Sequence, residues 1–138
     1  MILKKAVGIA IIALAFNASF FGTANAASVD VKCEVGAKLS KISINGIGMP
    51  SGYYRALASS PKLSSTPNQW SKTPLQSPLL GEVAFVMSSN KADVKAGATE
   101  IPSDFIKSNV AVGSLYRDNR INKTYTFVGS VKATCSIK

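Results

Sequence analysis

Two short stretches near the ends of the chain alternate strictly between apolar and polar residues, and each carries one of the only two cysteines. In the first, VDVKCEV, Cys33 shares the apolar side with the valines. In the last, VKATCSIK, Cys135 shares it with Val131, Ala133 and Ile137. A period of two residues is typical of a half-buried strand, so both sulfur atoms are predicted to face the core. We therefore predict a disulfide between Cys33 and Cys135 that joins the first strand to the last.

The start of the chain has the features of an export signal. Two lysines precede an apolar run from Ala6 to Phe16, and Ala24-Asn25-Ala26 matches the small-residue pattern of a cleavage site. The run is too short to span a membrane comfortably. We therefore predict a signal peptide over residues 1–26, with no transmembrane span after cleavage. The exported chain would lie in the periplasm or outside the cell, where disulfides persist.

Residues 27–138 are enough for one domain with a modest core. Val, Ile, Thr, Ser, Tyr and Phe are frequent and Gly or Pro interrupts every short run, which favours an all-β chain. About seven strands and a link between the two ends predict an immunoglobulin-like antiparallel β-sandwich. The likeness is one of architecture only, because the disulfide of antibody domains joins two internal strands. A small OB-like barrel is the alternative.

Turn residues predict where several strands end. Asn45-Gly46 is a turn dipeptide, so a strand that starts at Lys41 is expected to end there. Tyr53 to Ser59 is predicted as the next strand. The Ser/Pro-rich stretch from Ser59 to Pro78 predicts a long surface loop with a short edge strand near Leu75.

The last segment alternates over an unusual length. From Tyr125, every second residue through Phe127 to Ile137 is expected to stay on one face. A single straight strand of this length would exceed about 40 Å at about 3.3 Å per residue, which is too long for this domain. We therefore predict a bend or a bulge at Gly129.

The charge of the chain is strongly positive, with 16 Lys and Arg against 7 Asp and Glu and a net charge of +9. Without Lys4 and Lys5, which lie in the signal peptide, about +7 remains. The lysines are dispersed and form no dense basic tract, so nucleic acid is not an expected partner. A protein, a glycan or an anionic envelope surface remain as partner classes. Scattered lysines also keep a β protein soluble and protect its edge strands.

Groups for catalysis or metal binding are scarce. The chain has no histidine, which removes Ser-His and Cys-His catalysis and the usual zinc ligands. The S-x-x-K spacing occurs from Ser59 to Lys62 and from Ser88 to Lys91, but so short a motif arises readily by chance. The carboxylates between Ser89 and Pro102 lack the spacing of a calcium loop. We therefore predict a non-enzymatic protein without a catalytic site, a cofactor or a metal.

Four residues are candidates for ligand contact: Trp70, Tyr54, Arg117 and Arg120. Trp70 is the only tryptophan and lies in the Ser/Pro-rich loop, where it either anchors a partner or packs on the sheet. Tyr54 belongs to an aromatic and basic cluster, and both arginines belong to a cationic loop. Because Tyr53 and Tyr54 alternate along a strand, one of them is expected in the core.

These observations predict an exported binding module of unknown ligand, which contacts its partner through loops at one end of the sandwich. Two alternatives stay open. One is a secreted inhibitor that inserts the Ser/Pro-rich loop into a hydrolase, and the other is a subunit of a surface or fibre assembly.

Overall fold

The computed structural model describes residues 27–60 and 68–138. The predicted signal peptide, residues 1–26, lies outside these ranges, as do residues 61–67 of the Ser/Pro-rich loop. The elements of the described residues are β1 (Ser28–Gly36), β2 (Leu39–Met49), β3 (Gly52–Ser59), β4 (Gln69–Trp70), β5 (Leu75–Ser77), β6 (Gly81–Ser88), α1 (Lys91–Lys95), β7 (Thr99–Glu100), β8 (Val110–Asn119), β9 (Thr124–Thr134) and β10 (Ser136–Ile137).

The strands form two sheets. The first has the order β10-β1-β2-β6-β7, and the second has the order β4-β3-β8-β9, with β5 also paired to β3. All pairs are antiparallel except β1 with β10 and β6 with β7. The two sheets stay separate and share one core, so the predicted all-β sandwich is confirmed and the alternative OB-like barrel is wrong.

Alternate residues of the central strands fill the space between the sheets. Ile42 and Ile44 of β2 and Ala56 and Ala58 of β3 are fully buried. Ile44 packs directly on the backbone of β8 at Gly113. A Cβ atom added to this glycine would lie only 2.6 Å from Cγ1 of Ile44. The missing side chain at this glycine lets the two sheets approach closely.

The predicted disulfide between Cys33 and Cys135 is confirmed, with 4.6 Å between the two Cα atoms. Both cysteines are buried, each with 6% of its surface exposed. Cys135 lies where the chain leaves the second sheet, since β9 ends at Thr134 and β10 begins at Ser136 beside β1 in the first sheet. The bond therefore ties the two sheets together at the point where the chain crosses between them.

The predicted turn at Asn45-Gly46 is wrong, because β2 continues through both residues to Met49. A Cβ atom at Gly46 would lie 2.6 Å from Cδ2 of Leu115 in the facing sheet. The glycine therefore admits a core side chain and does not reverse the chain. The strands predicted from Tyr53 to Ser59 and near Leu75 are confirmed as β3 and β5.

The prediction that the last segment keeps one phase is wrong, although the bulge expected near Gly129 is confirmed. Leu115 pairs with Gly129 but its neighbour Tyr116 pairs with Phe127, so Val128 is an extra residue in β9. Val128 packs against the core, whereas Tyr125 and Phe127 before the bulge lie on the outer face of the sheet. Beyond β9, Ile137 is 74% exposed because the chain has changed sheets.

Candidate functional site

A cluster of four aromatic side chains covers part of the outer face of the second sheet. The indole of Trp70 on β4 stacks on the ring of Tyr125 on β9, with 5.0 Å between centroids and 27° between planes. The same indole lies 5.1 Å from the ring of Tyr116 on β8. The rings of Tyr116 and Phe127 on β9 are arranged edge to face, with 5.5 Å between their centroids. We call these four residues the aromatic face.

Sheet order and the bulge together assemble the aromatic face. Tyr116 pairs with Phe127 and Asp118 pairs with Tyr125, so these side chains alternate onto one face. Trp70 arrives from β4, which pairs with β3 at Leu57. Aromatic contacts of this kind contribute about 0.5 to 1.5 kcal/mol per pair beyond the area that they bury. Of the two possibilities left open for Trp70, packing on the sheet is the observed one, and the side chain remains half-buried.

Two of the four rings remain open to solvent. Tyr125 is 47% exposed and Phe127 is 57% exposed. An isolated exposed aromatic side chain on a protein surface needs no explanation. Here, however, two exposed rings are held in place by a half-buried Trp and Tyr, which makes a preformed apolar surface with fixed geometry.

Positive charge lies beside the aromatic face. The guanidinium of Arg120 lies 4.4 Å above the centroid of the Tyr53 ring, in the geometry of a cation–π contact. Arg55, two residues from Tyr53 on the same face of β3, donates a hydrogen bond to Asp118 at 3.2 Å. The Asp118 side chain is only 9% exposed and its charge is paired. Arg120 is exposed, and it lies in the turn between β8 and β9.

The structure places Tyr54 and Arg117 in supporting positions. Tyr54 is 1% exposed, and its hydroxyl donates to the carbonyl of Pro50 at 2.6 Å. Burial raises the pKa of this hydroxyl, and the positive charge of Arg117 lowers it in part. Arg117 donates from Nη2 to the carbonyl of Ser51 at 2.9 Å. Both side chains therefore fix the turn between β2 and β3, and Tyr53 is the surface member of the tyrosine pair.

A separate cleft of about 330 Å³ lies between β6 and the segment from 71 to 75. Lys41 lines it and its Nζ lies 3.4 Å from Oδ2 of Asp93. The hydroxyl of Ser88 donates to the same carboxylate at 2.8 Å. The pKa of Asp93 lies below its ordinary value, mainly because of this hydrogen bond and to a smaller extent because of the ammonium of Lys41.

The S-x-x-K pair from Ser88 to Lys91 does not come together. Ser88 is fully buried and its hydroxyl is bonded to Asp93. The Nζ atom of Lys91 instead bonds to Oε2 of Glu100 at 2.9 Å. In the other S-x-x-K pair, Lys62 lies outside the described residues. The buried serine is thus part of the support for α1 and has no access to a substrate.

Within residues 27–60 and 68–138, no three acidic or cysteine side chains lie close enough to hold a metal ion. In the same ranges, no helix has the length and apolar character needed to cross a membrane. Comparisons of the chain with protein-family models, with curated proteins and with solved structures find no match. The geometry of this chain, a disulfide-linked β-sandwich with an aromatic face, is what bears on its function.

Of the candidates named from sequence, Trp70 belongs to the aromatic face and Arg120 lies beside it. Sequence reasoning missed Tyr116, Tyr125 and Phe127. The single phase predicted from Tyr125 to Ile137 puts the last two on the same face as Val131 and Ala133, which hides them as surface candidates. Gly129 was the available signal, since a bulge at this glycine moves the side chains of Tyr125 and Phe127 to the opposite face.

Proposed function

We propose that this chain is an exported, non-enzymatic interaction module that binds a partner through the aromatic face. The observation that carries the proposal is the pair of exposed rings, Tyr125 and Phe127, held by their contacts with Trp70 and Tyr116. Tyr, Trp and Arg dominate the energetic centres of protein interfaces. Rings that are already fixed lose little side-chain entropy when a partner covers them.

The surroundings of the aromatic face also support a binding role. The exposed guanidinium of Arg120 provides a charged rim beside an apolar centre, which is the usual layout of an interface. The acidic side chain nearby, Asp118, is paired with Arg55. The exposed guanidinium of Arg120 therefore adds positive charge at this place. A partner with an apolar patch and adjacent negative charge would fit this surface. A protein, a glycan and an anionic envelope surface all meet that description.

Export is part of the proposal. A disulfide that joins the two ends of the chain fits an oxidising compartment, since thiols in the cytosol are kept reduced. The signal peptide predicted for residues 1–26 would deliver the chain to the periplasm or to the outside of the cell. Binding partners would accordingly be sought among molecules of the cell envelope and its surroundings.

The only tryptophan reports directly on the aromatic face, because Trp70 stacks on Tyr125. We expect its fluorescence to change saturably when the chain is titrated with at least one of three probes: heparin, phosphatidylglycerol vesicles or linear peptides selected by phage display. Phe127→Ala should weaken that binding about tenfold or more, as expected for an aromatic residue at an interface centre.

Ile137→Ala provides the matched control, because Ile137 is 74% exposed but lies in the first sheet. This variant should bind with unchanged affinity. The proposal would be contradicted if none of the three probes binds, or if Phe127→Ala and Ile137→Ala weaken binding equally.

A further inference from the structure

β9 is a long edge strand that has a described partner on one side only. It runs for 11 residues, from Thr124 to Thr134, and pairs with β8. No other strand in residues 27–60 and 68–138 pairs with its second side. A bare edge of this kind is a template for a strand from another chain. We infer that the free edge of β9 binds an extended segment of a partner protein by strand addition.

The register between β8 and β9 identifies the backbone groups that face the free edge. The N–H of Cys135 donates to the carbonyl of Asn109 at 2.8 Å, which marks the preceding pair, Val110 with Thr134, as one that exchanges no hydrogen bonds. Such pairs recur at every second residue of an antiparallel ladder. Beyond the bulge, three residues of β9 therefore direct both backbone N–H and C=O away from β8: Ser130, Lys132 and Thr134.

The other sheet edges of the described chain are less suited to this role. β4, β5, β7 and β10 have only two or three residues each. The part of β1 that β10 leaves unpaired carries the charges of Asp30 and Lys32. The open part of β6 borders the cleft that the segment from 71 to 75 encloses. β9 contains no proline and a single charge, Lys132, and its bulge at Val128 lies before residues 130–134, so this part of the edge is long and regular enough to accept a strand.

A second copy of this chain fits the edge poorly. Residues 130–134 are the part of β9 beyond the bulge, and antiparallel pairing of two copies there places the two Lys132 side chains opposite or diagonal to each other. Like charges at these positions are destabilising. A register that includes the bulge instead sets Val128, which packs against the core, opposite an outward-facing side chain. The occupant is therefore a segment of a different protein.

The neighbouring side chains define the chemistry of that segment. On the outer face, an acidic side chain would lie beside Lys132 and form a cross-strand pair of opposite charge. Apolar side chains further along would lie beside Phe127 and Tyr125, which are the exposed rings of β9. The inference in this respect rests on the proposed function, because it names the partner of the aromatic face. The partner is an extended peptide that alternates in polarity and carries a carboxylate.

A library of random linear peptides of about nine residues displayed on phage is long enough to cover residues 130–134 with overhang at both ends. Selection on the folded chain should enrich alternating sequences that contain Asp or Glu. Selection on Lys132→Glu should enrich Lys or Arg at the corresponding position. Binding of a selected peptide should also slow amide hydrogen exchange at Ser130 and Lys132, because their N–H groups become bonded.

Ser130→Pro removes an N–H that points away from β8, so the variant loses no bond of the native ladder. It should weaken binding of the selected peptide by about tenfold or more, through the lost donor and the steric conflict of the ring. Ser130→Ala keeps the N–H and should bind normally. The same peptide with its backbone N-methylated should fail to bind the unaltered chain, which tests the inference without any substitution in the protein.

Strand addition is overturned if Ser130→Pro binds as tightly as Ser130→Ala, or if the N-methylated peptide binds normally. It is also overturned if no peptide is enriched. A dimer in sedimentation that Ser130→Pro abolishes would instead overturn the assignment of the edge to a segment of a different protein. The proposed function fails separately, if Phe127→Ala has no effect on any probe. Binding of heparin or vesicles that needs Phe127 but tolerates Ser130→Pro would leave the aromatic face in use and exclude the strand partner.

Discussion

Replacing both cysteines, with Cys33→Ala and Cys135→Ala together, is expected to lower the free energy of unfolding by about 4 to 5 kcal/mol. The bond closes a sequence separation of 102 residues, so its loss frees nearly the whole chain in the unfolded state. Domains of this size have a net stability of about 5 to 15 kcal/mol, so the variant would lose a large share of it. Urea unfolding, followed by the fluorescence of Trp70, measures the change.

Reduction of the unaltered chain is the matched control, because the two cysteines of this bond are the only ones in the sequence. A reductant should lower the unfolding midpoint as far as the double variant does, although it leaves both sulfur atoms in the core. The Cys33–Cys135 bond would not be the main constraint on the unfolded chain if either treatment changed the free energy of unfolding by less than about 1 kcal/mol, the usual effect of an ordinary substitution.

Gly113→Ala is expected to destabilise the fold by about 1 to 3 kcal/mol, which is typical of overpacking a core. The added Cβ atom would lie 2.6 Å from Cγ1 of Ile44 and 2.7 Å from Cγ2 of Val31, so the two sheets would have to separate locally. Ile44→Ala alone should cost about 2 to 5 kcal/mol, because it leaves a cavity at a fully buried position. Combined, the two substitutions should cost less than their sum, because the truncated side chain makes room for the new methyl group.

Gly36→Ala controls for the general effect of adding a methyl group to a glycine. A Cβ atom there would have no neighbour closer than 3.5 Å. Its unfolding midpoint in urea should be close to that of the unaltered chain. Strict additivity of Gly113→Ala and Ile44→Ala would show that the two residues do not touch across the sandwich.

The local sequence pattern was enough to predict the disulfide between the first and the last strand segments. The alternation around Cys33 and Cys135 placed both sulfur atoms on the apolar side, and the structure joins them. The short edge strand near Leu75 was likewise predictable, because prolines flank it and exclude a central strand. In each case, neighbouring residues alone decide which way the side chains point.

The predicted role of a glycine was wrong or incomplete where that role depended on the facing sheet. Asn45-Gly46 has the composition of a turn, but Gly46 lies in a strand because Leu115 needs the space above it. Sequence alone does not distinguish a glycine that reverses the chain from one that admits a distant side chain. The same limit applies to Gly129, where a bulge was predicted but its effect on the phase of Phe127 was not.

The aromatic face was not predictable from the sequence, because it depends on the order of the strands. Trp70 and Tyr125 are far apart in the chain and stack only because β4, β3, β8 and β9 are neighbours in one sheet. Trp70 and Arg120, which were singled out by residue type, lie in the aromatic face and beside it. Tyr54 was singled out by the same criterion, yet it lies in the core with 1% of its surface exposed.

We propose that a partner binds to the aromatic face and not to the cleft beside Asp93. Chemical-shift mapping by NMR, with the probe that binds most tightly in the fluorescence titration, tests it most directly. We expect the largest shifts at the indole N–H of Trp70 and at the amides of Tyr125 and Phe127. Shifts that centre on Lys41 and Asp93, with the aromatic face unchanged, would contradict it.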